Sequence, residues 1–106
     1  MFIDVQHLKN NAIIIKAAGK LDIYNASDYL DTAKKSTNLT KELILDFSQI
    51  DYIASIGLRA ILELHKIMSE KEGIMKIRNA SEEVLYVFKI TGFDNFLNIE
   101  NNSDNL

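Results

Sequence analysis

Leu43-Ile44-Leu45-Asp46-Phe47, running on to Ile53-Ala54-Ser55-Ile56-Gly57-Leu58-Arg59, decides the architecture of this chain. The first run is apolar on both faces except at Asp46, the pattern of a central, largely parallel strand. Across a short loop that includes Ile50 and Tyr52, apolar residues recur at Leu58, Ile61, Leu62, Leu64 and Met68, a broad helical stripe. Arg59, Glu63, Lys66 and Glu70 form the opposite polar face, at spacings that allow i,i+3 and i,i+4 ion pairs. The spacing predicts a helix over about residues 56–71, stopped by Gly73. This order of elements puts the Ser55 hydroxyl at a helix N-terminus, where backbone N–H groups point outward and the dipole favours negative charge. Two readings of Ser55 are open. It is a helix cap, contributing about 1 kcal/mol, or it accepts a phosphate, which adds about −1.5 to −2 charge at neutral pH and three acceptor oxygens. Gly57 either lets another backbone or a phosphate approach Ser55, or simply makes a tight entry into the helix.

The elements on either side complete a pattern. Ile3 and Val5 alternate with Asp4 and Gln6, as in a half-buried strand, and Lys9-Asn10-Asn11 supplies a turn into a second strand over residues 12–18. These two predict an antiparallel hairpin. Gly19-Lys20-Leu21-Asp22 leads away from it to a helix with Asn25 as N-cap, Ala26, Tyr29, Leu30 and Ala33 on one face, and Lys34 and Lys35 in its last turn. After the central strand and the second helix, residues 74–77 read as a strand. Ser81 caps a third helix that ends at Gly92, and Phe93, Phe96, Leu97 and Ile99 give a last short apolar segment. The order is β-β-α-β-α-β-α-β. This predicts a single α/β domain over residues 1–100, with a mixed, mostly parallel sheet packed with helices, and a frayed polar tail over 101–106.

Composition narrows the function. A chain of 106 residues, 47% hydrophobic and 25% charged, suits one compact core. The net charge of −3 and the scattered lysines and arginines argue against nucleic-acid binding. There is no cysteine, which rules out disulfides, thiol catalysis and cysteine-based zinc sites and fits a cytoplasmic protein. No apolar run reaches the roughly 20 residues that span a bilayer, so no direct membrane insertion is expected. Met1-Phe2-Ile3-Asp4 lacks the charged-then-apolar layout of a signal segment.

No catalytic constellation is present: G-x-S-x-G, H-E-x-x-H and G-x-x-x-x-G-K are all missing. His65 falls among Leu58, Ile61, Leu62 and Met68 on the helical wheel, where a partly buried histidine satisfied by a hydrogen bond is expected rather than a ligand. Asp22, Asp46 and Asp51 could converge near strand ends as in some Mg²⁺ sites, an arrangement that scattered loop aspartates seldom reach. The expectation is a non-enzymatic protein with no cofactor.

At these residues the chain resembles a known family. The strand over residues 43–47, the stretch through Ile50 and Tyr52-Ile53, and Ser55-Ile56-Gly57-Leu58 are similar to the core of STAS domains, the anti-sigma factor antagonists of bacteria. Gly19-Lys20-Leu21-Asp22 resembles the family's G-x-L-D, and Ile90-Thr91-Gly92-Phe93 with Phe96 resembles its closing motif. The resemblance covers nearly the whole chain. It implies a partner switch: the antagonist binds an anti-sigma factor that is also a serine kinase, is phosphorylated on the first serine of the motif, and is restored by a phosphatase, often of the PP2C type. Carried over, the acceptor is Ser55, Asp22 helps shape the contact surface, and Gly57 is the glycine that follows the acceptor. Asp22, Ile56, Gly57 and Arg59 are the expected partner-binding residues. Two positions depart from the pattern. Ala54 stands where the family usually has Asp, and Ile56 stands where Ser, Thr or Ala is commoner. Ile56 is either an exposed contact or tucked against Ile53 or Ala60. Ala54 favours an alternative, a STAS scaffold that does not cycle, within a signalling assembly or beside a lipid transporter. The intact Ser55-x-Gly57 favours the switch.

Overall fold

The computed structural model describes residues 1–101; the tail expected over 101–106 lies outside the described residues from 102 on. The chain forms β1 (Phe2–His7), β2 (Ile13–Leu21), α1 (Ala26–Thr37), β3 (Glu42–Ile53), α2 (Ser55–Glu70), β4 (Ile74–Arg78), α3 (Glu82–Thr91), a 3₁₀ turn at Phe93–Asn95, and β5 (Asn98–Glu100). The sheet runs β1-β2-β3-β4-β5. β1 is antiparallel to β2 and every other pair is parallel, so the mixed sheet and the element order are those read from the sequence.

Each parallel pair is joined by one crossover helix, and the apolar sides of the helices meet one face of the sheet. Ile13, Ile15 and Ala17 of β2, Leu43, Leu45 and Phe47 of β3, and Met75 and Ile77 of β4 alternate onto that face. Phe88 of α3 reaches Phe47 with ring centroids 6.3 Å apart, which ties α3 into the same core as Tyr29, Ile61 and Leu64. The intervening residues stand on the other face. There Lys76 pairs with Glu42 at 3.2 Å and with Glu100 at 3.6 Å.

Two boundaries differ from the sequence reading, and both differences build the site. Residues 48–53 are not a loop. They extend β3, while β2 continues to Leu21, with Ala18 opposite Gln49 and Leu21 opposite Ile53. Polar Ser48, Gln49 and Asp51 hide this in the sequence. The register shifts between Lys16 and Ala18 and again between Gly19 and Lys20, so Ile50 and Ile53 are buried at a spacing of three rather than two. The second difference is the start of α2. It begins at Ser55, with Ala54 as N-cap in an extended conformation. Among the described residues, no helix is long and apolar enough to cross a membrane.

Candidate functional site

β2 and β3 run parallel and end together, at Leu21 and Ile53, so the loop into α1 and the first turn of α2 emerge side by side at the carboxyl end of the sheet. One backbone group fastens them. The Leu21 carbonyl accepts a hydrogen bond from Ala54 N–H at 2.9 Å. A β-carbon built on Gly57 would lie 2.6 Å from that same oxygen and 2.9 Å from the Leu21 β-carbon. Gly57 is buried. The backbone that approaches it therefore belongs to this chain. Gly57 lets α2 close on β2, the tight helix entry that was one of its two readings.

Ser55 is exposed at the first position of α2. It does not cap the helix: the N-cap is Ala54, which has no side-chain acceptor to give the first-turn N–H groups. Among the described residues the Ser55 hydroxyl makes no hydrogen bond. Ile56, for which two placements were open, is exposed. It borders a groove of about 240 Å³ between α1 and α2, together with Leu30, Ala60, Arg59 and Glu63. Lys34 of α1 and Glu63 of α2 pair across this groove at 2.6 Å. That carboxylate holds the Lys34 ammonium above its ordinary pKa through a hydrogen bond and charge. Arg59 is exposed, and its guanidinium has no ion pair or hydrogen bond among the described residues.

Asp22 is half-buried and does local work. Its Oδ1 accepts from the N–H groups of Tyr24 at 3.0 Å and Asn25 at 3.2 Å, folding the turn that starts α1. Asn25 is the N-cap residue of α1 but caps nothing with its side chain, which instead donates to the Lys20 carbonyl at 2.9 Å. The turn pushes Ile23 and Tyr24 into solvent at 72% and 86% exposure. Tyr52, opposite Lys20 on β3, is 51% exposed. None of these three is among the contact residues expected from the sequence. Their signal is two large apolar residues inside a polar turn, legible only once that turn is known to sit beside Ser55. The result is an apolar rim of Ile23, Tyr24, Tyr52 and Ile56 at the end of the sheet that carries a free hydroxyl and a free guanidinium.

The other candidates do not assemble a site. Asp46 is buried on β3, accepting Ser48 N–H at 2.9 Å, and among the described residues no three acidic or imidazole side chains converge to hold a metal. His65 is half-buried, as expected, but it is held by ring contact with Phe96, centroids 4.8 Å apart, rather than by a hydrogen bond. Tyr29 is fully buried, and burial, with Asp46 nearby, raises its phenol far above the ordinary value. A larger depression lies at the opposite end of the sheet, near Asn11, Thr40 and Lys41. There Lys71 donates to the Thr37 carbonyl and Lys41 to the Lys71 carbonyl, so both ammoniums are occupied by helix-end backbone.

Comparison with known proteins fits this geometry. The family model for the STAS domain matches residues 3–106. The anti-sigma-B factor antagonist of Bacillus subtilis is 26% identical over 102 residues, covering 96% of this chain and 93% of that protein. Among solved structures, the Thermotoga maritima protein TM1081 superposes with a TM-score of 0.86 at 21% identity, over 92% of this chain and 85% of that one. The Bacillus cell fate determinant SpoIIAA, in its phosphorylated form, gives 0.74 at 14% identity, over 97% and 95%.

Proposed function

Since this chain belongs to the STAS domain family, we propose that it is an anti-sigma factor antagonist, acting in the cytoplasm and switched by phosphorylation of Ser55. The observation that carries the reading is the exposed, unbonded Ser55 hydroxyl at the start of α2, set beside the exposed apolar residues Ile23, Tyr24 and Ile56. The unphosphorylated end of the sheet docks an anti-sigma factor that is also a serine kinase. The apolar rim supplies buried area, and Asp22 holds the β2–α1 turn in shape. The kinase supplies ATP. The Ser55 oxygen bonds to the γ-phosphorus, the bond to ADP breaks, and the serine proton leaves to a base. No carboxylate or imidazole among the described residues bonds to Ser55, so that base belongs to the kinase. A dianion then sits in the middle of an apolar contact, where desolvating it opposes docking. The same dianion is tolerated by α2, because the first-turn N–H groups lack a side-chain cap and accept negative charge. A PP2C-type phosphatase resets the switch.

The test is affinity for an anti-sigma factor kinase of the same host, measured by calorimetry. Ser55→Asp is expected to bind at least about tenfold more weakly, while its melting temperature equals or slightly exceeds wild type, because an acidic first-turn residue is worth roughly 0.3–1 kcal/mol to a helix. Equal binding by the two chains would sink the switch. Ala54 favours a second reading, a STAS scaffold that does not cycle, since the usual acidic neighbour of the acceptor is absent. Intact mass and peptide mapping of the protein from its own host separate the two. One phosphate on Ser55 selects the switch, and an unmodified chain under every growth and stress condition selects the scaffold.

A further inference from the structure

Arg59 stands where a phosphate on Ser55 would meet it directly. It lies four residues after Ser55 on α2, so the two occupy one face on successive turns. Helical side chains lean toward the N-terminus, which carries the Arg59 guanidinium over the turn that holds Ser55. The competing partner on its other side is Glu63, again four residues away. Glu63 is already engaged by Lys34 of α1 at 2.6 Å, across the groove. Arg59 is left exposed and unpaired among the described residues, beside a groove whose only other charges neutralise each other. The first turn of α2 contains no acidic residue to attract it.

We propose that Arg59 is a phosphate latch: phosphoserine at position 55 pairs with the Arg59 guanidinium of its own helix. This rests on the phosphorylation of Ser55 proposed above and adds a second consequence to it. Phosphorylation then both places a dianion on the docking surface and withdraws the Arg59 cation from it. The pair has the favourable polarity, acid N-terminal to base at i,i+4, and guanidinium presents two parallel donors to phosphate oxygens. The interhelix Lys34–Glu63 pair acts here by keeping Glu63 away from Arg59.

The experiment uses the full chain with phosphoserine introduced at position 55 during translation, so that it depends on no kinase and no partner. The second ionisation of the phosphate is followed by ³¹P NMR against pH in the otherwise wild-type chain, in Arg59→Gln and in Arg59→Lys. Lys34, Glu63, Asp22 and Lys20, charged neighbours on the adjoining elements, are unchanged in all three. The latch predicts a midpoint about 0.3 pH unit lower with Arg59 than in Arg59→Gln, the size of an i,i+4 ion pair. Arg59→Lys falls between them, and most of the difference disappears at about 1 M salt, where screening acts within roughly 3 Å. The Arg59 Nε–H signal is also expected to move on phosphorylation. Equal midpoints in the Arg59 and Arg59→Gln chains, or a difference that salt leaves untouched, would overturn the latch while leaving the partner switch standing. A chain never phosphorylated in its host would overturn the switch, and the pair would still be measurable on the phosphorylated protein.

Discussion

Two positions, Ala54 and Gly57, set the geometry around Ser55, and each carries a different cost. Ala54 occupies the N-cap of α2 with extended backbone and nothing to offer the first-turn N–H groups. Ala54→Asp is expected to stabilise the domain by about 1 kcal/mol, a rise of roughly 4–8 °C in melting temperature for a chain of this size. An unchanged melting temperature would mean that the first turn of α2 is already satisfied by solvent. Gly57 is limited by space. A methyl group there would meet the Leu21 carbonyl oxygen at 2.6 Å, a backbone atom that can move only by shifting β2. Gly57→Ala should cost about 1–2 kcal/mol in urea denaturation, the overpacking penalty less the better helix propensity of alanine. A variant as stable as wild type would show that the end of β2 yields. The preference of serine for the N-cap is why the sequence suggests Ser55 as the cap. The bond from Ala54 N–H to Leu21 overrides it by holding Ala54 extended one residue earlier.

Helix ends show where local rules suffice. α3 follows them: Ser81 Oγ accepts from Val84 N–H at 3.2 Å, and Gly92 closes the helix in left-handed backbone with φ 80°. α2 stops near the expected place by a different device. Glu72 N–H bonds to Ser69 and Gly73 N–H to Met68, a Schellman motif in which the left-handed residue is Glu72, with φ 58°. Gly73 serves closeness instead, since a β-carbon there would fall 2.9 Å from the Lys41 carbonyl oxygen. Glu72→Gly should therefore stabilise the protein by about 0.5–1 kcal/mol, read from thermal melts; a loss of stability would mean that the Glu72 side chain matters more than its backbone angle. The helices and the core of the sheet were legible because their apolar residues recur at helical and strand periods. The second half of β3 was not, because its register shifts break the alternation that marks a strand. The place of Ser55 followed from the helix start, Asp22 came from the family resemblance and Ile56 was left open between two placements, whereas Tyr24 and Tyr52 needed the parallel register that brings the two strand ends together.

Across the fold, the two ends of the sheet are unlike. One is closed by Lys41 and Lys71 on helix-end carbonyls. The other presents Ile23, Tyr24, Tyr52 and Ile56 to solvent, large apolar residues on the segments that border the start of α2. Tyr24→Ala is expected to weaken anti-sigma factor binding by about tenfold or more, the loss of an aromatic anchor, with no change in melting temperature, since that side chain is 86% exposed. Binding that survives the substitution would move the contact away from the β2–α1 turn.

The Leu21 carbonyl has one more consequence. It joins the turn that carries Tyr24 to the helix start that carries Ser55, through the Ala54 amide and the closed packing at Gly57. The two halves of the proposed docking surface are thus joined directly, backbone to backbone. On the proposed switch, a phosphate on Ser55 lands on the docking surface itself. The proposal then expects amide exchange at Ala54 to be as slow in the phosphorylated chain as in the unmodified one.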